Sequence, residues 1–270
     1  MLIVSLWALA ILSMISIGIS SIVSPQIKLV RSIEERFASQ VAAEAALKYA
    51  FFERISEKDP DSDYSIYDSL PELNAEKTLK FGKVLLTYKL IDEESKIDIN
   101  INTVSEEMIM RLPGLNGDST IAGSIIAYQN NKKLTVKEEL LLVEGVTPEA
   151  YSQFKDFITV WTAGMVNINT VSEEALRILG FSDSFINSLI KFRNEDGIFK
   201  KSAPAQIRAD LEKIISVLSQ EDGKALGETN FVVKSSNFQM IAEAKFQNLP
   251  SRKYHITFDT TGKVLRWQED

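Results

Sequence analysis

The sequence predicts an α+β protein in which one long N-terminal helix carries a small antiparallel sheet, and a large α-helical insertion interrupts that sheet. Three observations predict it. Residues 1–27 contain no charged residue. Segments with strand periodicity stand at both ends of the remaining chain, and the stretch between them is helical in pattern and repeats itself.

The first run reads MLIVSLWALAILSMISIGISSIVSPQI. A membrane-spanning helix needs roughly 20 mostly apolar residues, which this run provides. Residues 28–57 continue in strong helix formers, with an apolar stripe at Leu29, Ile33, Phe37, Val41, Ala45 and Tyr49. One helix of about 55 residues would be on the order of 80 Å long, lipid-soluble in its first half and amphipathic in its second. A secretory signal would show a basic start, a shorter apolar core and a small-residue cleavage site. None is evident, so the run reads as an anchor.

Composition narrows the chemistry. The chain has no cysteine, which excludes disulfides, thiol nucleophiles and Cys-ligated zinc. It has one histidine, His255, so multi-histidine metal sites are excluded as well. His255 lies mid-strand in YHITF and reads as a sheet-face residue. No G-x-S-x-G, P-loop or H-E-x-x-H pattern occurs. Carboxylate pairs such as Glu106-Glu107 sit at helix starts, where they complement the helix dipole. The chain is therefore not expected to be an enzyme. A net charge of -7 disfavours nucleic-acid phosphate as the main partner.

Beyond the helix, residues 59–68 (DPDSDYSIYD) form an acidic, turn-rich segment. Within residues 80–100, Val84, Leu86, Tyr88 and Leu90 alternate on one face, as in a strand. Asp92-Glu93-Glu94-Ser95 is the expected turn and residues 96–100 the expected returning strand. After Gly227, residues 231–246 and 254–258 are β-like, and Thr260-Thr261-Gly262 turns a hairpin into residues 263–267.

The helical block spans 101–227, and its repeat is literal. INTVSEE at 101–107 recurs at 168–174. A Thr followed three residues later by Glu signals a helix start, here Thr103 with Glu106 and Thr170 with Glu173. Each copy then meets a glycine turn (Leu112-Pro113-Gly114-Leu115, and Leu179-Gly180-Phe181) and a second amphipathic helix. Two helix-hairpin-helix units result. Between them, residues 135–161 predict two helices broken at Gly145-Val146-Thr147-Pro148, with Pro148 in a first turn. Such units often bind DNA through hairpin backbone amides. Here the first unit carries nine acidic residues against five basic, the reverse of what counterion release requires. Its hairpin has Asn116 where a second close-approach glycine would help, and Gly180 stands alone in the second. Packing is the expected role.

This order of features resembles the GspK family, the large minor pseudopilins of type II secretion systems. The most specific stretch is VKEELLLVEGVTPEAYSQFKDFITVW leading into MVNINTVSEEALRIL, and the anchor and closing strands (231–244, 264–268) agree with it. The resemblance implies a pilin-like fold. It divides the chain into an anchor (1–27), an amphipathic continuation (28–57), a loop with the first strands (58–100), the inserted helical domain (101–227) and C-terminal strands (228–270). It further implies a bitopic bacterial inner-membrane protein with its C-terminal domain in the periplasm. Its role in protein secretion would be to initiate and cap a pseudopilus tip with two smaller minor pseudopilins, the I and J components. The major pseudopilin, membrane lipid and secreted cargo complete the implied partners.

The apolar stripe of the water-soluble half must be buried against something, so the partner interface is expected at Leu29, Ile33, Phe37, Val41 and Ala45. Ordinary pilin-like subunits carry a Glu at mature position five, which GspK-like proteins lack. If Met1 is the first mature residue, that position is Ser5. The family insertion is associated with calcium. Acidic and amide residues that could serve it cluster at Asn116-Gly117-Asp118-Ser119 and Asn194-Glu195-Asp196-Gly197. No other cofactor is expected. The alternative readings are a minor pilin of a type IV pilus and a membrane-anchored DNA-binding protein.

Overall fold

A computed structural model describes residues 2–56, 75–100, 104–195, 197–201, 203–215, 218–247 and 249–270. The acidic segment 59–68 and the opening letters of the first repeat, 101–103, lie outside the described residues. Helix α1 (Leu2–Ser56) is continuous, with Pro25 inside it. Among the described residues it is the one helix long and apolar enough to cross a membrane.

Strand β1 (Lys77–Phe81) turns at Gly82 (φ 57°) into β2 (Val84–Asp92). Val84, Leu86, Tyr88 and Leu90 all face inward, as their alternation predicts. A 3-10 turn, Glu93–Ser95, follows. The expected returning strand does not pair back on β2. Only Ile97–Asp98 is extended (β3), and it pairs in parallel with β4 (Ile158–Thr159).

The first helical unit lies between those two strands. It contains α2 (Glu106–Met110), α3 (Ser119–Asn131), a 3-10 segment (Lys137–Leu142) and α4 (Pro148–Phe154). Pro148 opens α4 as expected, whereas the helix expected before it is 3-10 and its far end is strand β4. The second unit starts at β5 (Met165–Asn167) and runs through α5 (Glu173–Leu179), α6 (Asp183–Asn194), α7 (Pro204–Ile214) and α8 (Gln220–Glu228). It closes on β6 (Asn230–Val232), parallel to β5. The β-like stretch 231–246 is thus two strands, one belonging to each part of the molecule. Each repeat is a helical excursion clasped at its base by a short parallel pair.

The chain then completes the sheet with β7 (Asn237–Phe246), β8 (Arg252–Asp259) and β9 (Val264–Glu269). Strand order is β1-β2-β7-β8-β9, antiparallel throughout. Two cores result. In one, Ala42, Ala43, Ala46, Leu47 and Ala50 of α1 pack on Leu86, Tyr88, Met240, Tyr254 and Ile256. Small side chains let the helix axis approach the sheet closely. In the other, both helical units merge, with Ile109 and Leu112 of the first in one cluster with Leu176, Phe185 and Phe231 of the second.

The helix caps correct one expectation. The N-caps are Ser105 and Ser172, whose hydroxyls accept from Met108 N (3.2 Å) and Ala175 N (3.1 Å). Thr170 is instead buried and donates to the carboxylate of Asp92. Thr-Val-Ser offers two hydroxyls two residues apart, and the one nearer the helix takes the cap.

Candidate functional site

Two features stand apart from ordinary packing: the uncovered side of α1 and a buried acidic hub at the base of the insertion. The inner side of α1 follows the sheet. The predicted stripe lies outside it, with Leu29 62%, Ile33 59%, Phe37 69% and Val41 46% exposed and Ala45 half-buried. Ser5 lies in the exposed N-terminal part of α1.

Ion pairs tie α1 to one sheet edge. Arg36 binds Glu269 of β9 at 3.0 Å, Glu269 also takes Arg252 at 2.7 Å, and Arg252 reaches the buried Glu35 at 3.4 Å. On the opposite flank the helix meets the β1–β2 turn through an exposed Lys83–Glu34 pair at 3.5 Å.

The hub is the turn after β2. Asp92, Glu93 and Glu94 are all buried, although three consecutive acids in a turn would ordinarily face water. Each is held by a different part of the molecule. Asp92 accepts from Asn167 Nδ2 (3.2 Å), Thr170 Oγ1 and Ser235 Oγ. Glu93 pairs with the buried Lys96 (2.7 Å) and accepts from Thr159 of β4. Glu94 accepts from the backbone N–H groups of Ser236 and Asn237, and from Asn237 Nδ2. Burial, followed by the adjacent Asp92 carboxylate, pushes Glu94 up to about 9, so it holds its proton at neutral pH. Asp98, also raised by burial, accepts from Thr162 N (3.0 Å). This hub joins the sheet to both helical units.

Asparagine clamps complete the base. Asn169 grips the backbone of Phe199 with both ends of its amide (3.0 and 2.9 Å), and Asn100 grips Leu134 likewise (2.7 and 2.9 Å). The clamp stands three residues before its cap in the second unit and five before it in the first.

The hairpin glycines are packing points. Gly114 (φ 83°) lies against the backbone of Ala150, where an added Cβ would come within 3.1 Å of the carbonyl oxygen. Gly180 (φ 94°) lies under the guanidinium of Arg111, which donates to Ile178 O at 3.4 Å. In both units a neighbouring segment packs on the turn glycine, while Gly117 of the first hairpin (φ 75°) faces open space.

The first candidate calcium cluster is taken up in helix capping. Asp118 uses its carboxylate to cap α3, accepting from Thr120 N (2.8 Å) and Ile121 N (3.2 Å). Among the described residues no three acidic, histidine or cysteine side chains come together to hold a metal. Asp196 of the second cluster lies outside them. The described residues form no multi-carboxylate calcium cage. His255 is on β8 opposite Ile241, with its Nε2 3.1 Å from Asp270 of the C-terminus.

Comparison with known proteins agrees with this architecture. The helix-hairpin-helix motif family matches residues 94–159, which is the first unit from the hub to β4. No curated protein matches the chain by sequence. Among solved structures, a chain of the GspK-GspI-GspJ complex from the enterotoxigenic Escherichia coli Type 2 Secretion System superposes with a TM-score of 0.63. Identity is 16%, and the match covers 89% of this chain and 99% of that one. The fold is therefore the one that chain has: a long apolar N-terminal helix, a small antiparallel sheet and a helical lobe. The likeness covers nearly the whole chain.

Proposed function

We propose that this protein is a minor pseudopilin of a type II secretion system, acting at the pseudopilus tip with two smaller minor pseudopilins. The observation that carries the reading is α1. Its first half has membrane length and no charge, while its second half leaves Leu29, Ile33, Phe37 and Val41 uncovered by its own sheet. Large apolar side chains exposed in a row on a water-soluble helix mark a surface that is buried elsewhere. The fold is shared with a chain of a three-component secretion complex, which supports the reading that the uncovered side of α1 serves assembly.

The work done is assembly, without covalent chemistry. The anchor sits in the bacterial inner membrane as a single pass, with the sheet and lobe in the periplasm. The helical lobe beside the sheet obstructs a further subunit stacking above it, which suits a capping position. The tip nucleates the filament of major pseudopilin and meets cargo.

Purifying the full chain in detergent with its two smaller pseudopilins tests this. Light scattering on a sizing column should give one particle with a single copy of each. A lone monomer that binds duplex DNA, with affinity falling as salt rises, would replace this reading with the DNA-binding one.

A further inference from the structure

The sheet has a second face, turned away from α1, and its charge runs against that of the whole molecule. Side chains alternate across a strand, so Leu85, Thr87 and Lys89 stand opposite the inward Val84, Leu86, Tyr88 and Leu90. Register sets Lys80 of β1, Leu85 of β2 and Lys245 of β7 abreast, with the leucine roughly 5 Å from each flanking strand. In the next row Thr87 is level with Glu243 and Lys253. The chain has 37 acidic residues against 30 basic, yet this face gathers four lysines around the carboxylate of Glu243. Lys80, Lys245 and Lys253 are exposed, Lys89 is half-buried, and Leu85 is 48% exposed.

Among the described residues the ion pairs of the sheet lie elsewhere. Lys83–Glu34, Arg36–Glu269 and Arg252–Glu35 tie it to α1, while Arg266–Glu138 and His255–Asp270 lie toward β9. The four lysines join none of these. At the far end of the same face Thr257 is only 2% exposed, and Arg266 beside it reaches Glu138 of the lobe at 2.8 Å. There the chain covers its own sheet. The lysine end stays bare. Lys80 on edge strand β1 also discourages strand addition, but Lys245 is on the central strand β7, where no edge needs guarding.

We propose that this basic face docks an acidic folded protein, with an apolar side chain set on Leu85 and carboxylates on Lys80 and Lys245. The proposal goes beyond the assembly reading, which concerns the α1 side of the molecule. Complementary charge selects an acidic partner and repels basic ones. The exposed leucine between the lysines offers apolar area, which a protein surface can bury and a phosphate chain cannot. A bilayer does not fit either. Because α1 packs on the opposite face, the lysine face runs alongside α1 and cannot lie flat on a membrane that α1 crosses.

Photo-crosslinking in the native host tests this. Full chain carrying p-benzoylphenylalanine at Leu85 should give an adduct with a second protein, and mass spectrometry should place the joined peptide beside Asp or Glu. Lys80→Glu and Lys245→Glu together should lower the yield at least about tenfold, because like charges then face each other. Lys133→Glu, at an exposed position of the lobe, should keep the yield within about twofold. Thermal melts of the double variant should match the unaltered chain, since both positions are exposed. The purified partner should bind the unaltered chain less tightly as salt rises. No adduct, an adduct of twice this chain's mass, one with nucleic acid or lipid, or a yield indifferent to charge reversal would overturn the docking of an acidic protein. Assembly with the two smaller pseudopilins would stand or fall separately, by the sizing experiment above.

Discussion

The anchor helix and the helical lobe treat their surfaces in opposite ways. Along α1 the inner side is sealed on the sheet by alanines, while Phe37 stays 69% exposed. In the lobe even the charges are turned inward. Asp92, Glu93 and Glu94 are buried and each finds its donors within the chain. Gly114 and Gly180 are covered as well, by Ala150 and Arg111. Apart from the exposed Leu141 and Leu142 of the 3-10 segment, the lobe is a closed body and the helix an open one. Substitutions in the lobe should therefore act on folding, and substitutions on the outer side of α1 on association.

The sharpest break in that contrast would come from the hub. Asp92→Ala leaves Asn167, Thr170 and Ser235 without their buried acceptor, and should cost about 3 kcal/mol of folding stability in a denaturant titration. A change under about 0.5 kcal/mol would mean that the hub does not hold the lobe to the sheet. The caps come next. Ser172→Ala and Ser105→Ala should each cost about 1 kcal/mol, while binding of the smaller pseudopilins stays unaltered. A loss of binding without a loss of stability would show that the lobe is not closed.

Glu94 gives a smaller and more specific effect. Its folded-state pKa is raised from the ordinary 4.5 to about 9. Between those values the folded chain keeps a proton that the unfolded chain has released, so this group lets stability fall as pH rises through that window. Glu94→Gln cannot ionise and should flatten the melting temperature against pH between about 4.5 and 9. An unchanged slope in thermal melts would place the proton elsewhere in the hub.

Much of this was legible in the chain. The length of α1, the alternation of Val84 to Leu90 and the doubled helix-hairpin-helix pattern are local periodicities, and period is what a sequence records best. The parallel clasps β3–β4 and β5–β6 were not legible. They are two and three residues long, with partners more than 60 residues away, too short to show a period. The hub was hidden for a different reason. Asp92-Glu93-Glu94 has the composition of a solvated turn, and only the distant Asn167, Thr170, Ser235 and Asn237 make it a core.

The most direct test replaces Val41 by the photo-reactive p-benzoylphenylalanine in the full chain, in cells that make both smaller pseudopilins. Illumination should yield a covalent adduct with the mass of this chain plus one smaller pseudopilin. Formation of the complex with no adduct from position 41 would show that the open side of α1 is not where the partner sits.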